Sequence, residues 1–91
     1  MMLSRKRAEA IRSCFESGTY CKWATSDYLY ELTPWGSRMV LKCGRIEDDV
    51  GIEVSWDVTG VFPPNDGYLM MILDGGDLAL RFTLEPKEGC E

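Results

Sequence analysis

Residues 67–85, GYLMMILDGGDLALRFTLE, decide the architecture. Two runs of apolar and β-prone residues flank the pair Gly75-Gly76, and glycines at that spacing signal a two-residue hairpin because they accept positive φ without steric cost. With the turn at Gly75-Gly76, Leu73 faces Leu78, Met71 faces Leu80 and Leu69 faces Phe82. Directly opposed residues share a side of the sheet, so these six belong to the core. Tyr68, Met70 and Ile72 then lie on the other side, beside Ala79, Arg81 and Thr83.

The segments upstream extend the same sheet. VGIEVSWDV (residues 50–58) alternates Val50, Ile52, Val54, Trp56 and Val58 with Glu53, Ser55 and Asp57, one face for the core and one for water. GVFPPND follows, and its two prolines cannot continue a ladder, so that strand ends near Gly60. RMVLKCGRI (38–46) alternates in the same way, after a turn carrying Pro34 and Gly36. YCKWATSDYLYEL (20–32) is aromatic and β-prone, one long strand or two short ones, with Ser26 and Asp27 marking a bulge or a break. Before it, Ala8, Ile11 and Phe15 recur at helical spacing, Ser4 stands ready to cap, and Gly18 sits just past the end, which predicts a helix over about residues 4–17.

The expected fold is therefore α+β: an N-terminal helix packed on a five-stranded antiparallel meander, with strands at about 20–32, 38–46, 50–58, 67–74 and 77–85. Such a sheet is able to coil toward a half-barrel. A 14-residue helix is about 21 Å long and cannot cover both faces of the sheet. The patch of Tyr68, Met70 and Ile72 is then rolled inside, paired in a homodimer or presented to a partner.

A length of 91 residues, 45% of them hydrophobic, suits a single domain over residues 1–91 with one core. Histidine is absent, which removes the usual general base, the commonest metal ligand and the Ser-His and Cys-His nucleophile pairs. Phosphate-binding glycine loops, HExxH, EF-hand spacing and GxSxG are also missing from the sequence. Glu47, Asp48 and Asp49, Asp66, and the pair Asp74 and Asp77 read as solvated turn formers, so no metal site, cofactor or enzymatic activity is assigned. The cysteines at 14, 21, 43 and 90 match neither a zinc ribbon nor a CxxC motif and are expected to be free thiols, with Cys14 and Cys43 buried. No apolar run has the length of a signal peptide or a membrane span, so the expectation is a cytoplasmic protein with no membrane partner.

Charge is unevenly distributed along the chain. Residues 1–45 hold eight basic and four acidic side chains, a net +4, and residues 46–91 hold two basic and eleven acidic, a net −9. Unless the fold interleaves the halves, the molecule is dipolar. Two classes of partner follow. An acidic surface with apolar anchors suits a protein partner with a basic surface, such as the nucleic-acid channel of a nuclease or a nucleoprotein effector, where carboxylates stand in for phosphates. The residues assigned to that contact are Tyr68, Met70 and Ile72 as anchors, with Glu53, Asp57, Glu47, Asp48 and Asp49 as charges. The alternative is a single-stranded nucleic-acid platform built from Arg5, Lys6, Arg12, Lys22 and Trp23. In size, acidity and lack of catalytic groups the chain resembles small phage-encoded inhibitors such as anti-CRISPR proteins, and immunity proteins that plug nuclease toxins. That resemblance implies an inhibitor and assigns no residues.

Overall fold

The computed structural model describes residues 2–47, 54–65 and 67–86. It opens with α1 (Arg5–Ser17), whose ends are set where the cap residues stand. Ser4 Oγ accepts a hydrogen bond from the Arg7 N–H at 3.0 Å, and Gly18, at φ 70°, closes the helix by donating to the Cys14 and Phe15 carbonyls. Ala8 and Ile11 are fully buried against the sheet.

Three cations in the first turn oppose the helix dipole. One of them has a structural use: Arg5 donates through Nε to the Glu85 carbonyl at 3.0 Å and through Nη1 to the Asn65 carbonyl at 2.8 Å. The helix start is thereby tied to both ends of the last hairpin. Leu3 adds a parallel bridge to Leu84, its N–H donating to the Thr83 carbonyl at 2.8 Å. The N-terminal segment thus occupies part of an edge that would otherwise present unpaired backbone.

Among the described residues the sheet has six strands in chain order: β1 (Cys21–Ala24), β2 (Tyr28–Trp35), β3 (Arg38–Arg45), β4 (Val54–Val61), β5 (Tyr68–Leu73) and β6 (Leu78–Thr83), every neighbouring pair antiparallel. The helix on an antiparallel meander agrees with the expected class, and the strand count is corrected from five to six. Ser26 and Asp27 mark a full turn rather than a bulge: the Thr25 N–H donates to the Tyr28 carbonyl at 2.9 Å, and residues 28–32 fold back on 21–24. Pro34 continues β2 because β1 pairs only as far as Leu32, so no partner on that side needs its missing N–H.

In β4 the register shifts between Val58 and Gly60, a bulge that brings Val61 back to the core face and carries the strand past residue 58. The β5–β6 register is the expected one, with Leu73 opposite Leu78, Met71 opposite Leu80 and Leu69 opposite Phe82. The turn differs in detail. Asp74 to Gly76 form a short 3-10 turn with Asp74 at φ 51°, so four residues link the strands, symmetric about the same centre.

The sheet is strongly curled. Tyr30 on β2 and Phe82 on β6 are four strands apart, about 19 Å on a flat sheet, yet their ring centroids lie 5.1 Å apart. Trp23 on β1 reaches Phe82 at 5.9 Å and stacks on Tyr30 at 5.4 Å. The core face is therefore the inside of an open half-barrel, filled by Leu32, Leu41, Leu69, Met71 and Leu73, and α1 closes one end. Each such side chain contributes about 1.5–3 kcal/mol when fully buried. Trp56, Val54, Leu80 and Leu78 lie on the core face as expected but are not sealed within it: Trp56 and Leu80 are half-buried, and Val54 and Leu78 are 50% and 48% exposed. They sit toward the end that α1 does not reach or, for Leu78, on an edge strand with no neighbour. No helix of the described residues is long and apolar enough to cross a membrane.

Candidate functional site

With the core face turned inward, Tyr68, Met70 and Ile72 on β5 fall on the outer, convex face, where they are half-buried. No element of the described residues lies over them. Arg81 on β6 holds its guanidinium 5.0 Å from the Tyr68 ring centroid, a cation–π contact that shields one side of the ring. Ile72 is flanked by Gly60 across the β4–β5 ladder, and its carbonyl accepts from Thr59 Oγ1 at 3.2 Å.

Next to this row, Asp57 on β4 pairs with Arg38 on β3 at 3.0 Å, and its N–H donates to Asp74 Oδ1 at 3.0 Å. The Asp74 carboxylate, on the β5–β6 turn, therefore stands beside that of Asp57. Glu47 pairs with Arg45. Asp48, Asp49 and Glu53 lie outside the described residues. The assigned charges that are described are thus already in ion pairs, exposed ones that contribute little to stability and leave carboxylate oxygens open to a partner.

The same face carries a shallow depression of about 420 Å³ rimmed by Trp35, Arg38, Lys42, Asp57 and Asp74, with Val40 at its floor. Trp35, 61% exposed, adds an aromatic to this face beyond Tyr68, Met70 and Ile72. Its signal was available: alternation from Leu32 places Thr33 and Trp35 outward, opposite Val40 and Arg38.

The basic set is not brought together. Arg5 is bound to two backbone carbonyls, and Arg12 donates to the Val61 carbonyl at 3.3 Å while pairing with Glu16 at 2.9 Å. Lys6 is exposed on α1, and Lys22 is exposed on the outer face in a row with Glu31 and Lys42. Trp23 is 4% exposed, packed between Tyr30 and Phe82, and offers no free ring face to a base.

A second concavity lies at the open end of the half-barrel. Tyr28, Tyr30, Cys43, Val54, Trp56 and Leu80 line a groove of about 480 Å³ with Arg45 at its rim. Tyr30 and Cys43 face each other across the β2–β3 ladder, and burial together with the neighbouring thiol pushes the Tyr30 pKa up to about 12. Burial also raises Cys43. Both groups are neutral at physiological pH, held away from the ionised forms that nucleophilic chemistry uses.

Because strand order equals chain order, the charge halves are not interleaved. α1 and β1–β3 hold the basic excess, and from β4 to residue 86 the described chain carries Asp57, Asp74, Asp77 and Glu85 against Arg81. Among the described residues no cluster of His, Cys, Asp or Glu has the arrangement of a metal site. No protein-family model, curated protein or solved structure matches this chain.

Proposed function

We propose that the protein is a small, non-enzymatic protein-binding module that docks through its outer sheet face onto the basic surface of a larger effector, acting as an inhibitor in the cytoplasm. The observation that carries this reading is the row of Tyr68, Met70 and Ile72 on a sheet face that no element of the described residues covers, within the half of the sheet that carries the acidic excess. Half-buried aromatic and apolar side chains held in a strand lose little conformational freedom on binding, which is what an interface anchor requires. Nearby carboxylates steer a basic partner and displace the phosphates it would otherwise hold. A nuclease or nucleoprotein effector has such a surface, as do the targets of the phage inhibitors and immunity proteins that the chain resembles in build.

The test uses paired baits. Wild type and Tyr68→Ala, both shown to be folded by circular dichroism, are used to capture partners from the native cell, and the chain alone is assayed for mobility shifts on single- and double-stranded nucleic acid. A basic protein retained by wild type and lost with Tyr68→Ala, with no shift of nucleic acid, is the expected outcome. A direct shift by the chain alone, or equal capture by both baits, overturns the proposal. The first of those results would favour a nucleic-acid role for Lys22, Arg38 and Lys42 on the outer face.

A further inference from the structure

Two cysteines that the docking face does not use meet at the junction of α1 and β1. After Gly18 ends the helix the chain doubles back at once: the Thr19 N–H donates to the Cys14 carbonyl at 3.0 Å, and the Cys14 thiol lies 3.8 Å from the Tyr20 carbonyl oxygen. Cys21, the next residue and the first of β1, is thereby placed beside Cys14, which packs against the core cluster to which Cys21 belongs. They are not equivalent. Cys14 is half-buried, whereas Cys21 is 8% exposed and belongs to the core. Cys43, the remaining described cysteine, pairs instead with Tyr30 in the groove at the open end.

We propose that Cys14 and Cys21 are a redox-sensitive pair that closes to an intramolecular disulfide by exchange with a low-molecular-weight disulfide such as oxidised glutathione, locking α1 to the edge strand β1. The partly exposed Cys14 attacks as thiolate, breaking the glutathione S–S bond, forming a mixed disulfide and releasing one glutathione thiolate, which takes up a proton. Cys21 then gives up its proton and attacks the Cys14 sulfur, expelling the second glutathione. Two cysteine thiols are oxidised by two electrons in total, and one glutathione disulfide is reduced to two thiols. Burial and the neighbouring Cys14 raise Cys21 to about 11, so it is a poor first nucleophile and acts as the resolving group once Cys14 carries the mixed disulfide.

The consequence is structural. β1 is the short edge strand of the half-barrel and carries Trp23, so a covalent tie between its first residue and the helix restrains the element most able to peel away.

The reduced full chain carrying Cys43→Ser and Cys90→Ser, and the wild type beside it, are incubated with oxidised glutathione and followed by intact mass, peptide mapping and thermal melting. The expected product has lost the mass of two hydrogens, carries no glutathione on this pair, yields a peptide linking Cys14 to Cys21 and melts at a higher temperature. Cys21→Ser, checked for folding by circular dichroism, should instead hold one glutathione on Cys14. Stable glutathione on Cys14 when Cys21 is present, a bridge from either residue to Cys43 or Cys90, or no reaction at the pair while the folded chain is intact would each overturn the proposal.

Discussion

Phe82 is the contact point through which the curl of the sheet is stabilised, edge-on to Tyr30 at 5.1 Å and to Trp23 at 5.9 Å. Removing its ring deletes the bridge between β6 and the first two strands. Phe82→Ala is expected to cost about 3–5 kcal/mol in urea denaturation, a large share of the stability of a chain this size. Arg81, its neighbour in sequence, points outward over Tyr68, and Arg81→Ala should cost under about 1 kcal/mol. Equal losses from the two would show that the faces of β6 are misassigned.

The buried Cys21 thiol and the half-buried Tyr30 phenol make a second forecast. Tyr30 and Cys21 are raised to about 12 and about 11 in the folded chain, so above their unfolded values the unfolded state releases protons that the folded state retains. Stability contributed by these groups is full below about pH 9 and falls as pH rises toward 12. Melting temperature measured across that range should drop in wild type, less steeply at its lower end in Cys21→Ser and at its upper end in Tyr30→Phe.

At the scale of elements, α1 is held by its cap and by a staple. Ser4→Ala removes the acceptor for the Arg7 N–H and should cost about 0.5–2 kcal/mol. Arg5→Met keeps the aliphatic stem but loses the bonds to the Asn65 and Glu85 carbonyls, which join the helix start to the two ends of the β5–β6 hairpin. Hydrogen exchange should separate the two variants. Ser4→Ala loosens the first turn of α1 alone, whereas Arg5→Met also speeds exchange at Leu3, Leu84 and Glu85, whose N–H groups bond within that junction. If exchange at residues 84 and 85 is unchanged in Arg5→Met, the staple has no mechanical role.

Across the whole molecule, charge placement governs how a partner is met. A meander keeps the two charge halves side by side, so binding to a basic partner should divide into anchor and rate effects. Against a purified partner, Tyr68→Ala should weaken affinity by about 2 kcal/mol or more, mainly through faster dissociation. Asp57→Lys with Asp77→Lys should slow association, with an effect that shrinks as salt is raised. Lys6→Glu with Lys22→Glu should leave association unchanged or speed it. Insensitivity of the rate to both charge sets would remove steering from the account.

Local chemistry was legible from the residues alone. Ser4 and Gly18 bound the helix because capping is decided by one side-chain oxygen and one left-handed φ, and the register of residues 67–85 followed from the glycine pair because side chains alternate with period two. The face of Trp56, Val54 and Leu78 was equally legible, but their exposure was not, since alternation assigns a side of the sheet and says nothing of what covers it. The same limit hid the groove at the open end, and it put Trp23 among candidate base-stacking residues when the curl carries it against Tyr30 and Phe82. Ser26 and Asp27 suit a bulge or a turn alike, and only the pairing of residues 28–32 with 21–24 decided between them. The partners of Arg5, 60 and 80 residues away, and the approach of Cys21 to Cys14 around the helix end are likewise products of tertiary structure. Periodicity and backbone preference act over a few residues, and so the sequence by itself determined the helix, the last hairpin and the face each side chain takes. Cover, curvature and long-range contacts depend on where one short helix comes to rest on a sheet too wide for it, and that only the folded chain decides.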